Sequence, residues 1–347
     1  MSVFNTLQSL ISDQKPFVCY FKPNEMRWQL GVQSTDDVHL FTGQSGFVFM
    51  PFDSGDPVAI PFDAAHFSYG ILDAYEECTF TECQTATDQK ETFEKLVATG
   101  IATINEGILD KVVLSRKLTI PGHFSILASF KNIINTYPTA FRYLFFHPKI
   151  GVWLGASPEQ LVQIKKGQFE TVALAGTKLV SDAVDWTPKE MTEQKIVTDY
   201  IVSKISARAK NIAVSEPQTI QAGNLVHLKS VITGQLTADF SALDLITTLH
   251  PTPAVCGLPK ATATAFILEN ENYNRSYYSG FLGEYNSQDA TDLFVNLRCM
   301  QWEKEVVHVY VGCGITADSD PKLEYIETEN KSMTMRNVLV KINNNKL

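Results

Sequence analysis

Two carboxylate pairs in this sequence have a spacing that could do chemistry. "PKEMTEQKIV" begins a helical stretch with Glu190 and Glu193 three residues apart, and "PKLEYIETENKS" repeats the pattern with Glu324 and Glu327, with Lys331 further along the same face. Residues three apart share a helix face, so each pair could offer oxygen donors to a hard cation such as Mg²⁺, which takes few carboxylates and keeps waters. Acidic residues in a first helical turn also complement the helix dipole with no ligand present, and that accounts for each pair taken alone. Lys111 raises a similar question in "DKVVLSRK", where it is followed at once by Val112, Val113 and Leu114. The run reads as a buried strand, in which an unpaired ammonium is costly. Lys111 is therefore either a solvated strand end or an amine set where chemistry happens. Arg298 reads as mid-strand in "FVNLRCM", either in a core ion pair or as a clamp for a carboxylate.

Small and rigid segments accompany these charges. "VGCGIT" gives a strand two glycines, Gly312 and Gly314, which weaken it unless a ligand or backbone approaches closely. "VALAGTK" ends a strand in Ala175, Gly176 and Thr177, and "HPTPAVCGLP" puts His250 and Gly257 in a Pro-rich break. Turn chemistry and a helix stop explain the same residues without function.

The elements that position these groups follow from periodicity. Phe93, Leu96, Val97, Ile101 and Ile104 predict a helix over 89–107. Further helices are expected near "SILASFKNIINTY", from Pro188 to about Lys210, over "SALDLITTLHP" and "ATATAFILENE", and from Pro321 to about Val340. Pro at a first-turn position favours helix initiation. "FRYLFF", "GVWLGAS", "EQLVQIKKGQFETVALAG", "NLVHLKSVITGQL" and "DLFVNLRCMQWEKEVVHVYVGCGIT" read as strands, with hairpin turns at "KKGQ" and at Glu303 to Glu305. Residues 1 to about 85 read as short strands and turns. Hairpins dominate, so the expected class is α+β with largely antiparallel sheets, not a doubly wound parallel sheet.

Composition removes several classes. The chain has 347 residues and is 44% hydrophobic, enough for a large core, and with no Pro- or Ser-rich linker one domain over 1–347 is expected. Net charge is −9 with scattered Lys and Arg, so there is no basic face for nucleic acid. No Walker loop or G-x-G-x-x-G is present, no apolar run approaches the ~20 residues of a membrane span, and the first residues lack a signal peptide's regions. The six cysteines show no C-x-x-C pairing and read as reduced core thiols of a cytoplasmic protein. Cys78 and Cys83 could ligate a metal by spacing, but no further pair completes a site.

Taken in order, "DKVVLSR", "GASPEQLV", "ALAGTK", "KEMTEQ", "HPTPAVCGLP", "RSYYSGFLGEY", "FVNLRC", "VGCGI" and "EYIETENKS" resemble the chorismate-utilising enzymes, which include isochorismate, salicylate, anthranilate and aminodeoxychorismate synthases. The resemblance covers roughly residues 90–340 and leaves 1–90 as a variable N-terminal portion. It implies a single chorismate-binding domain of antiparallel sheets with outer helices and a central cleft, an α/β sandwich, with Mg²⁺ as cofactor and chorismate as substrate. By matching position, Glu193 and Glu327 are the direct metal ligands, with Glu190 and Glu324 supporting them. Tyr278, Arg298, the backbone at Gly312 and Gly314, and Lys331 grip the substrate carboxylates, while His250, Thr177 and Gly176 form the ring-side wall. Glu159 in "GASPEQL" matches the general acid. Many relatives have Glu-His where this chain has Glu193-Gln194, which leaves any role of that histidine in doubt here.

Three positions narrow the activity within the family. Lys111 matches the lysine of members that attack with water, where ammonia-using members have glutamine. Water needs a base, and a lysine is a base only when neutral, so its reference pKa of about 10.4 must fall; burial is what lowers it. Ala175 stands where many aminodeoxychorismate synthases carry a covalently acting lysine, and alanine is no nucleophile. "VALAG" resembles the isochorismate form more than the "PLAG" of salicylate synthases. The expectation is an isochorismate synthase, with salicylate synthase as the alternative and a non-catalytic chorismate-binding protein as a reading of another class. A monomer without a glutaminase subunit is expected, with a menaquinone rather than siderophore route.

Overall fold

The structure, a computed structural model, describes residues 2–72, 89–180, 185–222, 225–303 and 305–342. Two antiparallel sheets face each other. The first has nine strands, in the order Gly257–Leu258, Lys111–Pro121, Val306–Ile315, Cys299–Glu303, Gly151–Ser157, Phe141–His147, Phe17–Phe21, Arg27–Gln33 and Ala65–Ile71. The second has ten, running from Ala209–Val214 through Leu225–Leu236, Gln168–Leu179, Gln160–Lys165, Ala290–Val295, Phe281–Ser287, Gly46–Met50 and Val58–Pro61 to His39–Leu40, with Gln218–Ala222 also paired to Leu225–Leu236. The α+β class expected from hairpin patterning is what forms.

Aromatic side chains join the sheets. Phe49 stacks on Tyr277 with centroids 4.1 Å apart, and Phe141 on Phe294 at 4.4 Å. Offset ring pairs add to the burial of apolar area, so this layer holds two wide sheets in register. Outer faces are covered by helices. Val3–Ser12 and Ile126–Thr136 lie on the first sheet, and Pro188–Ile205 and Ala242–Leu249 on the second. Lys90–Asn105 and Lys260–Asn270 cover the end of the first sheet that carries Lys111.

That end shows the two-residue strand period at work. Val112 and Leu114, with Cys313 and Ile315 on the paired strand, pack beneath the Lys90–Asn105 helix. The alternate residues, Lys111 and Val113 with Gly312 and Gly314, line a cleft on the other face. Cys19, Cys256, Cys299 and Cys313 are free and buried, as expected of core thiols; Cys78 and Cys83 lie outside the described residues.

Four expectations need correction. Residues 3–12 form a helix instead of strands and turns, because Val3, Phe4 and Leu7 recur at helical spacing and bury against the first sheet. The long acidic-start helix ends at Ile205 and the chain re-enters the sheet at Ala209. The last helix is Pro321–Arg336, four residues shorter than its sequence limit of about Val340. Arg298 is not mid-strand: Ala290–Val295 belongs to the second sheet and Cys299–Glu303 to the first, so Arg298 sits in the crossover between them, at φ +48°.

Beneath the cleft lies a buried charge pair. Arg275 Nε donates to Glu271 Oε2 at 2.7 Å, its two terminal nitrogens donate to the carbonyls of Val255 and Val113 at 2.9 and 2.8 Å, and Ser115 N–H donates to Glu271 Oε1 at 2.7 Å. The pair ties the Lys111 strand to the 250–258 loop. Removing one partner strands the other charge in the interior, so Arg275→Met should lower unfolding free energy by about 3–5 kcal/mol, read by urea denaturation. Arg275→Met with Glu271→Gln should cost less than the two single changes summed.

Candidate active site

The cleft opens where the Lys111 end of the first sheet meets the strands Gln168–Leu179 and Leu225–Leu236 of the second, and the helices starting at Pro188 and Pro321 close its sides. Its cavity volume is about 180 Å³. Lys111, Glu159, Gly176, Glu190, Glu193, Tyr278, Arg298, Gly312, Gly314, Glu324, Glu327 and Lys331 all line it. His250 does not. Its Nε2 lies 3.1 Å from the Pro51 carbonyl and its ring meets Phe281 edge-on, and burial, with Lys260 nearby, lowers its pKa to about 4. Thr177 lies on the strand Gln168–Leu179, but its side chain is outside the described residues.

Each charged side chain has a local reason for its place. Glu190 closes a capping box: Thr187 N–H donates to Glu190 Oε2 at 2.8 Å, and the Thr187 hydroxyl bonds the same oxygen. The ordinary first-turn role of an acid is therefore real here, with Glu190 Oε1 3.7 Å from Lys178. One turn on, Glu193 Oε1 accepts from Lys111 Nζ at 2.5 Å. Lys111 is only 5% exposed, so this pair sits in a low-dielectric position. Across the cleft Lys331 Nζ is 2.5 Å from Glu327 Oε1 and donates to the Gly312 carbonyl at 3.0 Å. Glu324 Oε1 accepts from Ser319 Oγ at 2.7 Å, while its Oε2 is buried with no partner among the described residues; burial and then Glu327 raise its pKa.

Close approach explains the glycines. A Cβ on Gly312 would lie 2.8 Å from the Leu114 carbonyl and 2.9 Å from Tyr278 Oη. One on Gly314 would lie 3.1 Å from Lys111 Cε and 3.4 Å from Glu193 Oε1. Larger residues would fill the cleft floor and push apart the Lys111–Glu193 contact.

Glu159 follows Pro158 at the turn from Gly151–Ser157 to Gln160–Lys165, strands of different sheets. It is 5% exposed, and burial pushes its carboxyl up to about 7, against the opposing pull of Lys111, Arg298 and Lys331. A carboxyl in that range can hold and release a proton near neutral pH. Arg298 has no carboxylate partner among the described residues; burial lowers its pKa, with Tyr278 and Glu327 opposing. A desolvated guanidinium without a protein partner is fitted to a ligand carboxylate.

The sequence reading missed His227. It lies on Leu225–Leu236, lines the cleft, and places Nδ1 3.0 Å from the Gly176 carbonyl. Burial, then Arg298 and Lys331, lowers its pKa to about 4, so it is neutral at pH 7. A lone histidine in a strand carries no sequence signal; only the pairing with Gly176 marks it. Gln194, in contrast, faces away from the chemistry: its Nε2 donates to Thr198 Oγ1 and Ser230 Oγ at 2.9 and 2.8 Å, pinning the helix to the sheet.

Residues 72–340 match the family described as chorismate binding enzyme. The chain belongs to that family. It is 30% identical over 313 residues to the isochorismate synthase EntC of Escherichia coli K12, covering 83% of this chain and 79% of that protein. Anthranilate synthase component 1 of Lactococcus lactis is 29% identical over 72% of this chain and 57% of its own length. The solved structure of MenF, the menaquinone-specific isochorismate synthase of Escherichia coli, superimposes with a TM-score of 0.81 at 22% identity, covering 97% of this chain and 92% of the other.

For a chorismate-binding enzyme, metal fit can be judged from the donors. Besides Glu159, the carboxylates of Glu190, Glu193, Glu324 and Glu327 line the cleft, and one buried oxygen, Glu324 Oε2, lacks a partner among the described residues; hard oxygen donors suit Mg²⁺. Among the described residues, no three of His, Cys, Asp and Glu lie close enough to share an ion; Glu193 and Glu327 are paired through Oε1 with Lys111 and Lys331. The donor set fits Mg²⁺ in kind.

The raised pKa of Glu159 carries a stability consequence. A carboxyl at about 7 in the fold and about 4.3 unfolded costs nothing well below pH 4, where both forms are protonated, costs increasingly as pH rises to about 7, and levels off above it. Glu159→Gln should therefore stabilise the fold at pH 8 by roughly 3 kcal/mol relative to its effect at pH 4, measured by urea denaturation at both pH values. Equal effects at the two pH values would contradict the assigned burial.

Proposed function

We propose that this protein is a magnesium-dependent isochorismate synthase, converting chorismate reversibly to isochorismate by water attack at C2 with loss of the C4 hydroxyl. The observation that carries this reading is one cleft holding a buried amine, Lys111, and a buried carboxyl, Glu159, that titrates near neutrality. Similarity to EntC supports it, and Ala175 leaves no side chain for the covalent route.

In the forward direction Lys111 takes a proton from the attacking water, and Glu159 gives its proton to the departing C4 hydroxyl, which leaves as water. Arg298, Tyr278 and Lys331, with the backbone at Gly312 and Gly314, hold the substrate carboxylates. His227, neutral at pH 7, adds a polar wall that places no extra cation beside Lys111. Glu193 and Glu327, with Glu190 and Glu324 in support, would hold Mg²⁺, which would supply positive charge to offset that of the substrate's carboxylates.

The deciding experiment is chromatography of the products formed from chorismate and Mg²⁺ without ammonia. Isochorismate is expected; salicylate with pyruvate would identify the alternative, and no conversion would refute both. Lys111→Ala should bind chorismate yet lose ~10²–10⁴-fold in turnover. Glu193→Gln should abolish the Mg²⁺-dependent activity without unfolding the protein.

Microscopic reversibility exchanges the two proton roles, so Glu159→Gln should slow chorismate and isochorismate consumption by similar factors. Forward kcat should fall as pH rises through about 7, because the forward direction needs Glu159 protonated. Initial rates started from each isomer test the first point, and an impairment in one direction alone would remove Glu159 from the acid role.

A further inference from the structure

Glu159 faces two cavities. It lines the cleft, and it also lines a second cavity that shares Pro158 and Leu174 with the first. The rim of the second cavity carries the exposed residues Glu25, Thr139 and Gln163, and its deeper wall carries the buried Val172, Asp292 and Phe294. Charged and polar groups run along it: Lys22 Nζ is 3.3 Å from Asp292 Oδ2, and Gln160 Nε2 donates to Asp292 Oδ1 at 2.8 Å. The hydrogen bonds of Glu159 among the described residues are made by its backbone, with Ser157 Oγ and Val295 N–H. Its carboxyl has no hydrogen-bond partner among the described residues.

The chemistry requires that carboxyl to exchange protons. In the forward reaction the water's oxygen pair forms the C2–O bond, the ring double bonds shift, and the C4–O bond breaks with its electron pair on oxygen. The proton lost by the water goes to Lys111, and the proton of Glu159 goes to the departing oxygen, making a second water. Each turnover therefore leaves Glu159 as a carboxylate and Lys111 with an extra proton. Before the next forward event Glu159 must gain a proton and Lys111 must lose one. A ligand held by Arg298, Tyr278 and Lys331 lies across the cleft side of Glu159, where free water would also compete with the chemistry.

We propose that the second cavity is the route by which Glu159 regains its proton from solvent while the cleft is occupied. This rests on the acid role given to Glu159 above. The rear opening separates two needs, a cleft shielded during reaction and an acid recharged after it. Pro158 and Leu174 form the partition, and Lys22, Lys229, Glu25 and Asp292 keep the rear side wet.

Narrowing the rear cavity tests this. Val172→Phe fills its wall and Gln163→Trp its rim; neither residue lines the cleft. Conversion is measured in a single turnover with enzyme in excess, and in the steady state. The expected result is an unchanged single-turnover rate with kcat lowered roughly tenfold, less than the loss on removing an acid outright, and recovered by added imidazole at fixed pH. Unchanged kcat in both variants overturns the route, as does a single-turnover rate that falls as far as kcat, which would mark a displaced Glu159. An unmutated protein that converts no chorismate overturns the acid role itself, and is recognised before any variant is compared.

Discussion

The Lys111–Glu193 salt bridge is the interaction on which the rest of the site depends. Lys111 belongs to the first sheet, and Glu193 to the helix that covers the second. Two opposite charges brought out of water each lose several kcal/mol of hydration, and only close geometry returns it. The 2.5 Å contact therefore fixes how near the two halves of the cleft stand. It also holds the proposed base and a proposed metal ligand against each other.

Other features serve that spacing. Gly312 and Gly314 let one strand pass beneath the amine without a side chain in the way. The Glu271–Arg275 pair fixes the Lys111 strand from behind, and the aromatic layer carries alignment from the centre of the sandwich to the cleft, ending where Tyr278 stacks on Tyr310 with centroids 5.5 Å apart. The same cleft spreads its acids by environment. Glu190, against the cost of its partial burial, is held low by Thr187 and Lys178, whereas burial raises Glu159 and Glu324. Identical side chains are thereby suited to different tasks.

Much of this was legible in the residues. The i, i+3 acidic pairs, the two strand glycines and the apolar run after Lys111 all pointed to the cleft, because period and close approach are local properties. The helix over residues 3–12 was not, since it is short and its apolar residues bury against elements formed later in the chain. Arg298 was misplaced within a strand because "FVNLRCM" has apolar residues on both sides of it; apolarity signals burial without saying which sheet receives each half. His250 was expected at the cleft, yet its ring is taken by Pro51 and Phe281, and His227, which no sequence signal marked, lines the cleft instead.

By itself the sequence determined the fold class, the hairpins, the helix starts and, through nine ordered segments, the family resemblance. Propensity, capping and alternation act over a few residues, so they can be read without a structure. Only the tertiary structure decided which charges meet. Lys111 and Glu193 are 82 residues apart in the chain, and Glu159 gains its raised pKa from burial created by both sheets together. Distance and desolvation between remote segments are set by packing, and it is packing that turns an acidic pair, an amine and a buried carboxyl into one site.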